Sequence, residues 1–419
     1  MELTGFYNKK VTFFRIPCFR YRLFERSVKT TGLLRDGLVK SEAKLKMKKL
    51  IALFYFLIPL VWFFAADCQT ENNSGADLKE GIVSESRLKE LLARPPCLQS
   101  FDRTVESYKV KEVTIPGGEI ELAGKLYLPD TPGPHAAVVF MHGGGNDYEL
   151  VMGAPRFYGP RLAHCGYAAL IYDKRGTGKS GGVFHESTYD DFIADAGRAV
   201  EFLSKHESID PGNIGVYAGS EGGRLAPLVA VRFPNVAFVI SASGPIGKIA
   251  DQADFNIEYA LHVRGYPDSL IEQIMPLWRK HHAACTSLDS AEMDAVAKEI
   301  FRLRETIDPF ALPNTRQEFL TDSNLFFLRP QYFSMPNDYT GELVKLDVPW
   351  LAIYGELDPI INVQESVENI QKQMTAGNNT DYEIIVHEGV GHSFSDPETG
   401  KFVPDENIVI NWIKEKVSE

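Results

Sequence analysis

Residues 214–223 read IGVYAGSEGG and combine an apolar run with small residues gathered around one serine. The apolar run is typical of a buried strand, and the residues that follow the serine are typical of a helix. Small residues at Ala218, Gly219, Gly222 and Gly223 permit a sharp turn. The pattern predicts a strand, a tight turn and a helix, with the hydroxyl of Ser220 above the carboxyl end of a sheet.

Strand and helix patterns alternate on both sides of this turn. Two segments of alternating apolar and polar residues, 110–115 and 120–128, flank a Pro-Gly-Gly turn and predict an antiparallel hairpin. The apolar runs that predict buried strands are 136–141, 167–172, 214–218, 236–241, 350–354 and 382–387. The helix patterns between them are 155–165, 189–206, 222–233, 363–374 and 405–417. This succession predicts an α/β fold, with a mostly parallel sheet and helices on both faces.

The interval 244–341 contains no convincing strand. It has helix patterns at 257–263, 269–282 and 290–306, followed by an aromatic stretch at 319–339. Because a structureless loop of this length is rare in a compact domain, the interval predicts a helical cap. The cap would separate two parts of the core, 108–243 and 342–419.

Three more loops follow strands of the predicted sheet. They read MHGGG at 141–145, YGELDP at 354–359 and GVGHSF at 389–394. Because the carboxyl ends of parallel strands lie at one edge of a sheet, we expect these loops to meet Ser220 there. The order Ser220, Asp358, His392 is the order of a Ser-Asp-His triad on this kind of scaffold.

The roles of these residues follow from their chemistry. Ser220 is the candidate nucleophile, because a serine hydroxyl attacks only when a base takes its proton, and His392 is the candidate base. Asp358 would orient His392 and stabilise its protonated form. Backbone N–H groups of Gly144 and Glu221 would form an oxyanion hole.

Two of these assignments have rivals. His387, at the end of the last strand, competes with His392, and Glu356 competes with Asp358. Position in the loop favours His392 and Asp358. In the turn after the second parallel strand, Asp173 and Arg175 are expected to form a charge pair.

The chain resembles the α/β-hydrolase superfamily, and within it the bacterial serine esterases and serine aminopeptidase-like proteins whose elbow reads G-H-S-E-G-G. The resemblance rests on IGVYAGSEGGRLAP at 214–227 and YDKRGTGKS at 172–180, and it covers roughly 108–419. Ala218 and Gly219 stand where the family has Gly and His. The resemblance implies an esterase that acts on a small acyl ester through an acyl-enzyme, and no metal or organic cofactor is implied.

Two other functions remain open. A peptidase or aminopeptidase on the same scaffold needs an anionic cluster for the free amine of its substrate, which Glu258, Asp268 and Glu272 could supply. A non-catalytic binding role is suggested only by Ala218 and Gly219.

Charge and cysteine content exclude some classes of protein. With 44 Lys and Arg against 56 Asp and Glu, the net charge of −12 argues against a nucleic-acid partner. The five cysteines have no C-x-x-C spacing, so neither a zinc site nor a disulfide framework is predicted. They are expected to be buried or incidental thiols.

The beginning of the chain resembles a secretory signal. In 47–68, two lysines precede the apolar run 50–66, which ends abruptly in polar residues. This predicts export to the periplasm or the exterior, and an uncleaved membrane anchor at 50–66 is the alternative. Residues 1–46 are basic and are expected to be an over-extended start or a cytosolic tail. Residues 69–107 are expected to be a tether or a packing arm.

Overall fold

The computed structural model describes residues 80–102, 107–145, 153–263, 266–286 and 338–417, with a few residues between 291 and 302. The predicted extension 1–46 and the predicted signal or anchor 47–68 lie outside the described residues. So do most of the third cap helix pattern and most of the aromatic stretch.

Eight strands form one sheet in the order β1-β2-β4-β3-β5-β6-β7-β8. The strands are β1 (Tyr108–Gly117), β2 (Ile120–Pro129), β3 (His135–Met141), β4 (Ala168–Tyr172), β5 (Ile209–Gly219), β6 (Phe238–Ala242), β7 (Trp350–Gly355) and β8 (Tyr382–His387). Strand β2 pairs antiparallel with β1 and with β4, and all the other pairs are parallel. The predicted α/β fold with a mostly parallel sheet is confirmed.

Helices lie between the strands in the described part of the chain. They are α1 (Glu85–Leu92), α2 (Pro96–Gln99), α3 (Gly153–His164), α4 (Tyr189–Leu203), α5 (Glu221–Arg232), α6 (Ile249–Val263), α7 (Asp268–Thr286), α8 (Val363–Gly377) and α9 (Asp405–Lys416). Short 3₁₀ helices occur at Phe184–Glu186 and Thr340–Lys345. The predicted helix patterns outside the cap all correspond to helices.

Side chains of the central strands alternate between two cores. Val139 and Val216 belong to one core, whereas Val138, Phe140 and Tyr217 belong to the other. Successive side chains of a strand point to opposite faces, so a strand that is buried on both faces must be apolar at every position. This explains why the parallel strands appear in the sequence as continuous apolar runs.

Each core is closed by its own helices. Ile193 of α4, Leu225 of α5 and Ile370 of α8 cover the first core. Leu162 of α3 and Trp412 of α9 cover the second. The sheet is thus packed on both sides. Because β3, β5, β7 and β8 all run in the same direction, the loops that follow them emerge together at one edge of the sheet.

Between β6 and β7 the chain forms two helices of the predicted cap. Helices α6 and α7 contain the predicted patterns 257–263 and 269–282 and extend beyond them. Their contact is apolar and joins Leu261 to Leu270, Ile271 and Ile274. Burial of these side chains stabilises the contact between the two helices.

Residues 80–102, here called the N-terminal arm, pack onto the second core. Leu91 and Leu98 are fully buried in that core. Arg87 forms ion pairs with Glu383 on β8 and with Glu415 on α9. Apolar burial and ion pairs thus fix residues 80–102 against the sheet.

The expectation that the cysteines are unpaired is wrong for two of them. Cys97 of the N-terminal arm forms a disulfide with Cys165, which follows α3. The two residues are 68 positions apart, and their Cα atoms are 5.2 Å apart. Local spacing motifs cannot reveal such a pair, because only the folding of the arm onto α3 brings the cysteines together.

Candidate active site

Ser220 lies at the turn between β5 and α5 in a conformation that L-residues rarely adopt. Its φ is 53° and its ψ is −127°. Its N–H donates to the carbonyl of Ala242 at 2.8 Å, and its carbonyl accepts from the N–H of Gly223, also at 2.8 Å. Strained backbone of this kind persists only where the surroundings hold it, and it is concentrated at functional sites.

Two glycines after Ser220 are required by close backbone contacts. A Cβ at Gly222 would lie 2.3 Å from the carbonyl oxygen of His142, and one at Gly223 would lie 2.7 Å from the Cα of Gly244. These contacts let α5 begin directly against the loops after β3 and β6. At Gly219 the nearest atom is 3.7 Å away, so space for a Cβ remains there.

The structure brings Ser220, His392 and Asp358 together. The Oγ of Ser220 lies 3.1 Å from Nε2 of His392, whose Nδ1 lies 2.7 Å from Oδ2 of Asp358. Because a carboxylate only accepts, Nδ1 carries the proton and Nε2 is left to accept one from the serine hydroxyl. The three residues form one hydrogen-bonded chain in the predicted order.

The carboxylate of Asp358 is held on both oxygens. While Oδ2 faces His392, Oδ1 accepts from the backbone N–H groups of Ile360 at 2.8 Å and Ile361 at 3.0 Å. The side chain is fully buried. These hydrogen bonds fix the orientation of the carboxylate.

Ser243, which sequence reasoning missed, supports the histidine loop. Its hydroxyl donates to the carbonyl of His392 at 3.1 Å, and its own φ is 50°. Its N–H donates to the carbonyl of Ile353 on β7 at 2.7 Å. A serine directly after a buried strand is a weak signal, since many loops begin with one.

The two predicted oxyanion donors belong to neighbouring pieces of backbone. A Cβ at Gly143 would lie 3.5 Å from the Cβ of Ser220, and a Cβ at Gly144 would lie 3.6 Å from the Cβ of Glu221. The loop after β3 thus lies directly against the start of α5. A Cβ at Gly143 would also lie 3.3 Å from the carbonyl oxygen of Gly219, which is a tight contact, whereas the distance at Gly144 is an ordinary van der Waals contact.

Lys174 is a second residue near the site that the sequence analysis did not single out. Its ammonium donates to the carbonyls of Gly143 at 2.8 Å and Gly145 at 3.3 Å, and it lies 3.2 Å from Oε1 of Glu221. A lysine flanked by a buried strand and a Gly-containing turn was the available signal. It was easily overlooked, because lysine is usually solvated.

The rival residues lie outside the hydrogen-bonded chain. His387 is buried, Nε2 of its ring has no hydrogen-bond partner among the described residues, and burial lowers its pKa to about 4. Glu356 is exposed, and its carboxylate accepts from the N–H of Gly389 at 3.0 Å. His392 and Asp358, and not these two rivals, are the residues linked by hydrogen bonds to Ser220.

Three other polar residues have structural contacts. Burial, together with the charge of Lys174, lowers the pKa of His142 to about 3, and its Nε2–H donates to the carbonyl of Tyr172. The expected pair of Arg175 with Asp173 is wrong: Arg175 binds Asp191 and Asp195 on α4, each at 2.7 Å. Asp173 instead accepts from the N–H of Lys179 at 2.7 Å. The guanidinium of Arg175 binds α4 because that helix lies within its reach. The turn is therefore held by the hydrogen bond from the backbone of Lys179 to Asp173.

The described residues contain no group of three or more His, Cys, Asp or Glu side chains placed to hold a metal ion. None of their helices is both long and apolar enough to cross a bilayer.

Two family models match consecutive parts of the chain. The model described as serine aminopeptidase, S33, matches residues 132–312. The model of the dienelactone hydrolase family matches residues 331–410. Between them these matches include Ser220, Asp358 and His392.

The curated relatives and solved structures that match this chain share a low percentage of identical residues with it. Esterase EstD of Thermotoga maritima is 27% identical over 213 residues, or 49% of this chain. A non-heme haloperoxidase of Rhodococcus erythropolis is 23% identical over 210 residues, which are 49% of this chain and 70% of that protein. An esterase structure from Pyrococcus furiosus has 18% identity and a TM-score of 0.47, covering 76% of this chain and 94% of its own. One from Pyrobaculum calidifontis has 19% identity and a TM-score of 0.46, covering 78% and 88%. The alignment spans about half the length of esterase EstD (49%).

Proposed function

Because this chain belongs to the α/β-hydrolase superfamily, we propose that it is a serine esterase that hydrolyses small-molecule carboxylic esters. The hydrogen-bonded chain from Asp358 through His392 to Ser220 carries the proposal. The matches to two hydrolase family models and to esterase EstD support it.

Acylation begins when Oγ of Ser220 attacks the ester carbonyl carbon while its proton passes to Nε2 of His392. Asp358 stabilises the imidazolium that forms. When the tetrahedral intermediate collapses, the bond from carbon to the alcohol oxygen breaks. The leaving oxygen then takes the proton from Nε2 and departs as the free alcohol.

Deacylation repeats these steps with water. His392 takes a proton from the water, whose oxygen attacks the acyl carbon of the acyl-enzyme. Collapse breaks the bond to Oγ of Ser220, which recovers its proton from His392. The products are the carboxylic acid and the free enzyme.

Both tetrahedral intermediates carry a negative charge on the former carbonyl oxygen. We assign the N–H groups of Gly144 and Glu221 as its hydrogen-bond donors, because the loop after β3 lies against the residue that follows Ser220. Each such donor typically contributes about 3 kcal/mol to the stabilisation of the transition state.

We also propose that the protein is exported. The apolar run 50–66 behind two lysines supports export, and so does the Cys97–Cys165 disulfide, since disulfides persist mainly in oxidising compartments. Retention of 50–66 as an anchor is the alternative within this proposal.

An aminopeptidase is the second candidate, and the match to the serine aminopeptidase model favours it. The three carboxylates considered for binding a substrate amine are Glu258, Asp268 and Glu272, and all three are exposed. An exposed carboxylate binds an amine weakly, because water competes for both charges. This weighs against these three residues as an amine site.

The deciding experiment compares the chain with its Ser220→Ala variant on p-nitrophenyl esters of short and long acyl chains. We expect ester turnover by the wild-type chain and a loss of at least about 10⁴-fold in kcat/KM in the variant. The acyl chain length that is hydrolysed fastest would define the size of the acyl pocket.

Aminoacyl p-nitroanilides, run in parallel, test the second candidate. Faster cleavage of anilides than of esters would replace the esterase by an aminopeptidase. No turnover of either class, with no covalent labelling of Ser220 by a fluorophosphonate, would refute both and favour a non-catalytic role.

A further inference from the structure

The ammonium of Lys174 is buried against the loop after β3, residues 142–145, here called the oxyanion loop. The side chain is only 4% exposed and is in contact with two carbonyls of that loop and with Glu221. Its nitrogen lies 4.5 Å from the ring centroid of Phe192 and 5.1 Å from that of Phe184. Burying a charge is costly, so these contacts must compensate for the hydration that the ammonium loses.

The hydrogen bond from Lys174 to the carbonyl of Gly143 also affects the direction of the N–H of Gly144. The carbonyl of Gly143 and the N–H of Gly144 belong to the same peptide group, which is trans, because Gly133–Pro134 is the one cis peptide among the described residues. In a planar trans peptide the C=O and N–H bonds point in opposite directions. When Lys174 holds the carbonyl at 2.8 Å, it therefore turns the N–H of Gly144 away from the ammonium.

Three consecutive glycines need such an external restraint. Gly143, Gly144 and Gly145 have no Cβ, and glycine adopts many backbone conformations. Without a partner for their carbonyls, the loop would sample orientations in which the N–H of Gly144 faces elsewhere. Hydrogen bonds from one buried ammonium to two carbonyls of the loop remove much of this freedom.

The same ammonium reaches the other predicted donor. Glu221 follows Ser220 directly, and its Oε1 lies 3.2 Å from Nζ of Lys174. Its second carboxylate oxygen accepts from the hydroxyl of Tyr189 at 3.3 Å. Lys174 thus links the two backbone segments from which the oxyanion donors come, and it can do so because β4 is the neighbour of β3.

We propose that Lys174 is a positioning residue that orients the N–H of Gly144 in the oxyanion hole and joins it to the start of α5. This inference rests on the proposed esterase function. Lys174 acts through the Gly143–Gly144 peptide and through Glu221. Its effect should therefore appear in the stabilisation of the transition state more than in the binding of substrate.

The test uses two variants of Lys174. Lys174→Met has an apolar side chain about as long as the carbon chain of lysine but lacks the ammonium, whereas Lys174→Gln retains an uncharged hydrogen-bond donor. Lys416→Met is the matched control, because Lys416 also pairs with a carboxylate, that of Asp381, and lies over an aromatic ring, that of Trp412. Active sites are counted by fluorophosphonate titration, and kcat is expressed per titrated site.

For Lys174→Met we expect kcat to fall about 10- to 100-fold, with KM changed less than about threefold. This fall in kcat is smaller than the one caused by removing an oxyanion donor entirely. Affinity for a trifluoromethyl ketone, which forms an oxyanion on Ser220, should fall in parallel with kcat/KM. Lys174→Gln should retain part of both, and Lys416→Met should match the wild-type chain per titrated site.

A merely structural role for Lys174 would lower the melting temperature and the number of titrated sites but leave kcat per site and ketone affinity unchanged. That result in either Lys174 variant would overturn the inference, and if Lys174→Met does not fold, Lys174→Gln decides. A wild-type chain without esterase turnover or labelling would instead refute the proposed function.

Discussion

The carboxyl edge of the sheet and the N-terminal arm both join residues that are far apart in the chain, but by different interactions. At the edge, Ser220, His392 and Asp358 meet through hydrogen bonds of 3.1 and 2.7 Å. The N-terminal arm is held by the buried Leu91, by the ion pairs of Arg87 and by a disulfide.

The difference separates chemistry from stability. Directional hydrogen bonds place atoms for a reaction, whereas apolar burial and a crosslink increase the free energy of unfolding without placing a reacting group. Substitutions at the edge should therefore affect turnover first, and substitutions in the N-terminal arm should affect unfolding first.

The largest effect on turnover is expected from His392, and His387 at the end of the last strand provides the contrast. His392→Ala should lower kcat/KM by about 10³- to 10⁴-fold, because the general base is lost, with little change in melting temperature. His387→Ala should lower the melting temperature by leaving a cavity, but kcat per titrated site should stay within about threefold. Ester hydrolysis and thermal unfolding of both variants measure the contrast. Comparable losses of turnover in the two variants would contradict the assignment of His392.

The crosslink of the N-terminal arm offers the opposite contrast. Replacing Cys97 and Cys165 together by Ser should lower the free energy of unfolding by about 2–4 kcal/mol, because the unfolded chain gains freedom. Since the disulfide lies away from the hydrogen-bonded chain, esterase turnover at 25 °C should be unchanged. Urea unfolding and initial rates on one preparation measure both quantities. A large loss of kcat in a folded variant would show that the two regions are coupled.

The smallest effect is expected from Asp405, the first residue of α9. This helix covers the second core, on which the N-terminal arm also packs. Burial raises its pKa to about 6 from 3.8, although the hydroxyl of Tyr158 donates to it. The folded state therefore binds this proton more tightly than the unfolded state does. This contribution to stability is complete below about pH 4 and is lost as the pH rises through 6, by about 3 kcal/mol in all.

Asp405→Asn tests this contribution, because an asparagine can still accept from Tyr158. His142 and His387, whose pKa values burial lowers, give the opposite slope, so the comparison must be made between variant and wild type. The difference in unfolding free energy, measured in urea from pH 4 to pH 7, should grow in favour of the variant. A pH-independent difference would contradict a raised pKa for Asp405. Turnover at pH 7 should not change.

Much of the fold and the site was predictable because it depends on local patterns. Continuous apolar runs indicated the parallel strands, since both faces of the sheet are covered. The loops that carry Ser220, Asp358 and His392 follow strands whose carboxyl ends share one edge, so their proximity followed from the predicted topology. The glycines after Ser220 indicated a sharp turn, and the structure adds that a Cβ at Gly222 would lie too close to the carbonyl oxygen of His142.

Other features depend on distances that no local pattern encodes. The Cys97–Cys165 disulfide, the contacts of Lys174 and the hydroxyl of Ser243 all join segments that meet only after the sheet has formed. The same is true of Arg175, whose choice of Asp191 and Asp195 over Asp173 depends on where α4 packs.

The amino-acid sequence alone was enough to specify the order of strands and helices along the chain, the sharp turn at Ser220 and the loops that carry Asp358 and His392, because these depend on neighbours along the chain. Tertiary structure alone decided which buried charge meets which carbonyl, which cysteines pair and how the oxyanion loop is held. Those contacts depend on the packing of whole elements, where a shift of about 1 Å makes or breaks a hydrogen bond.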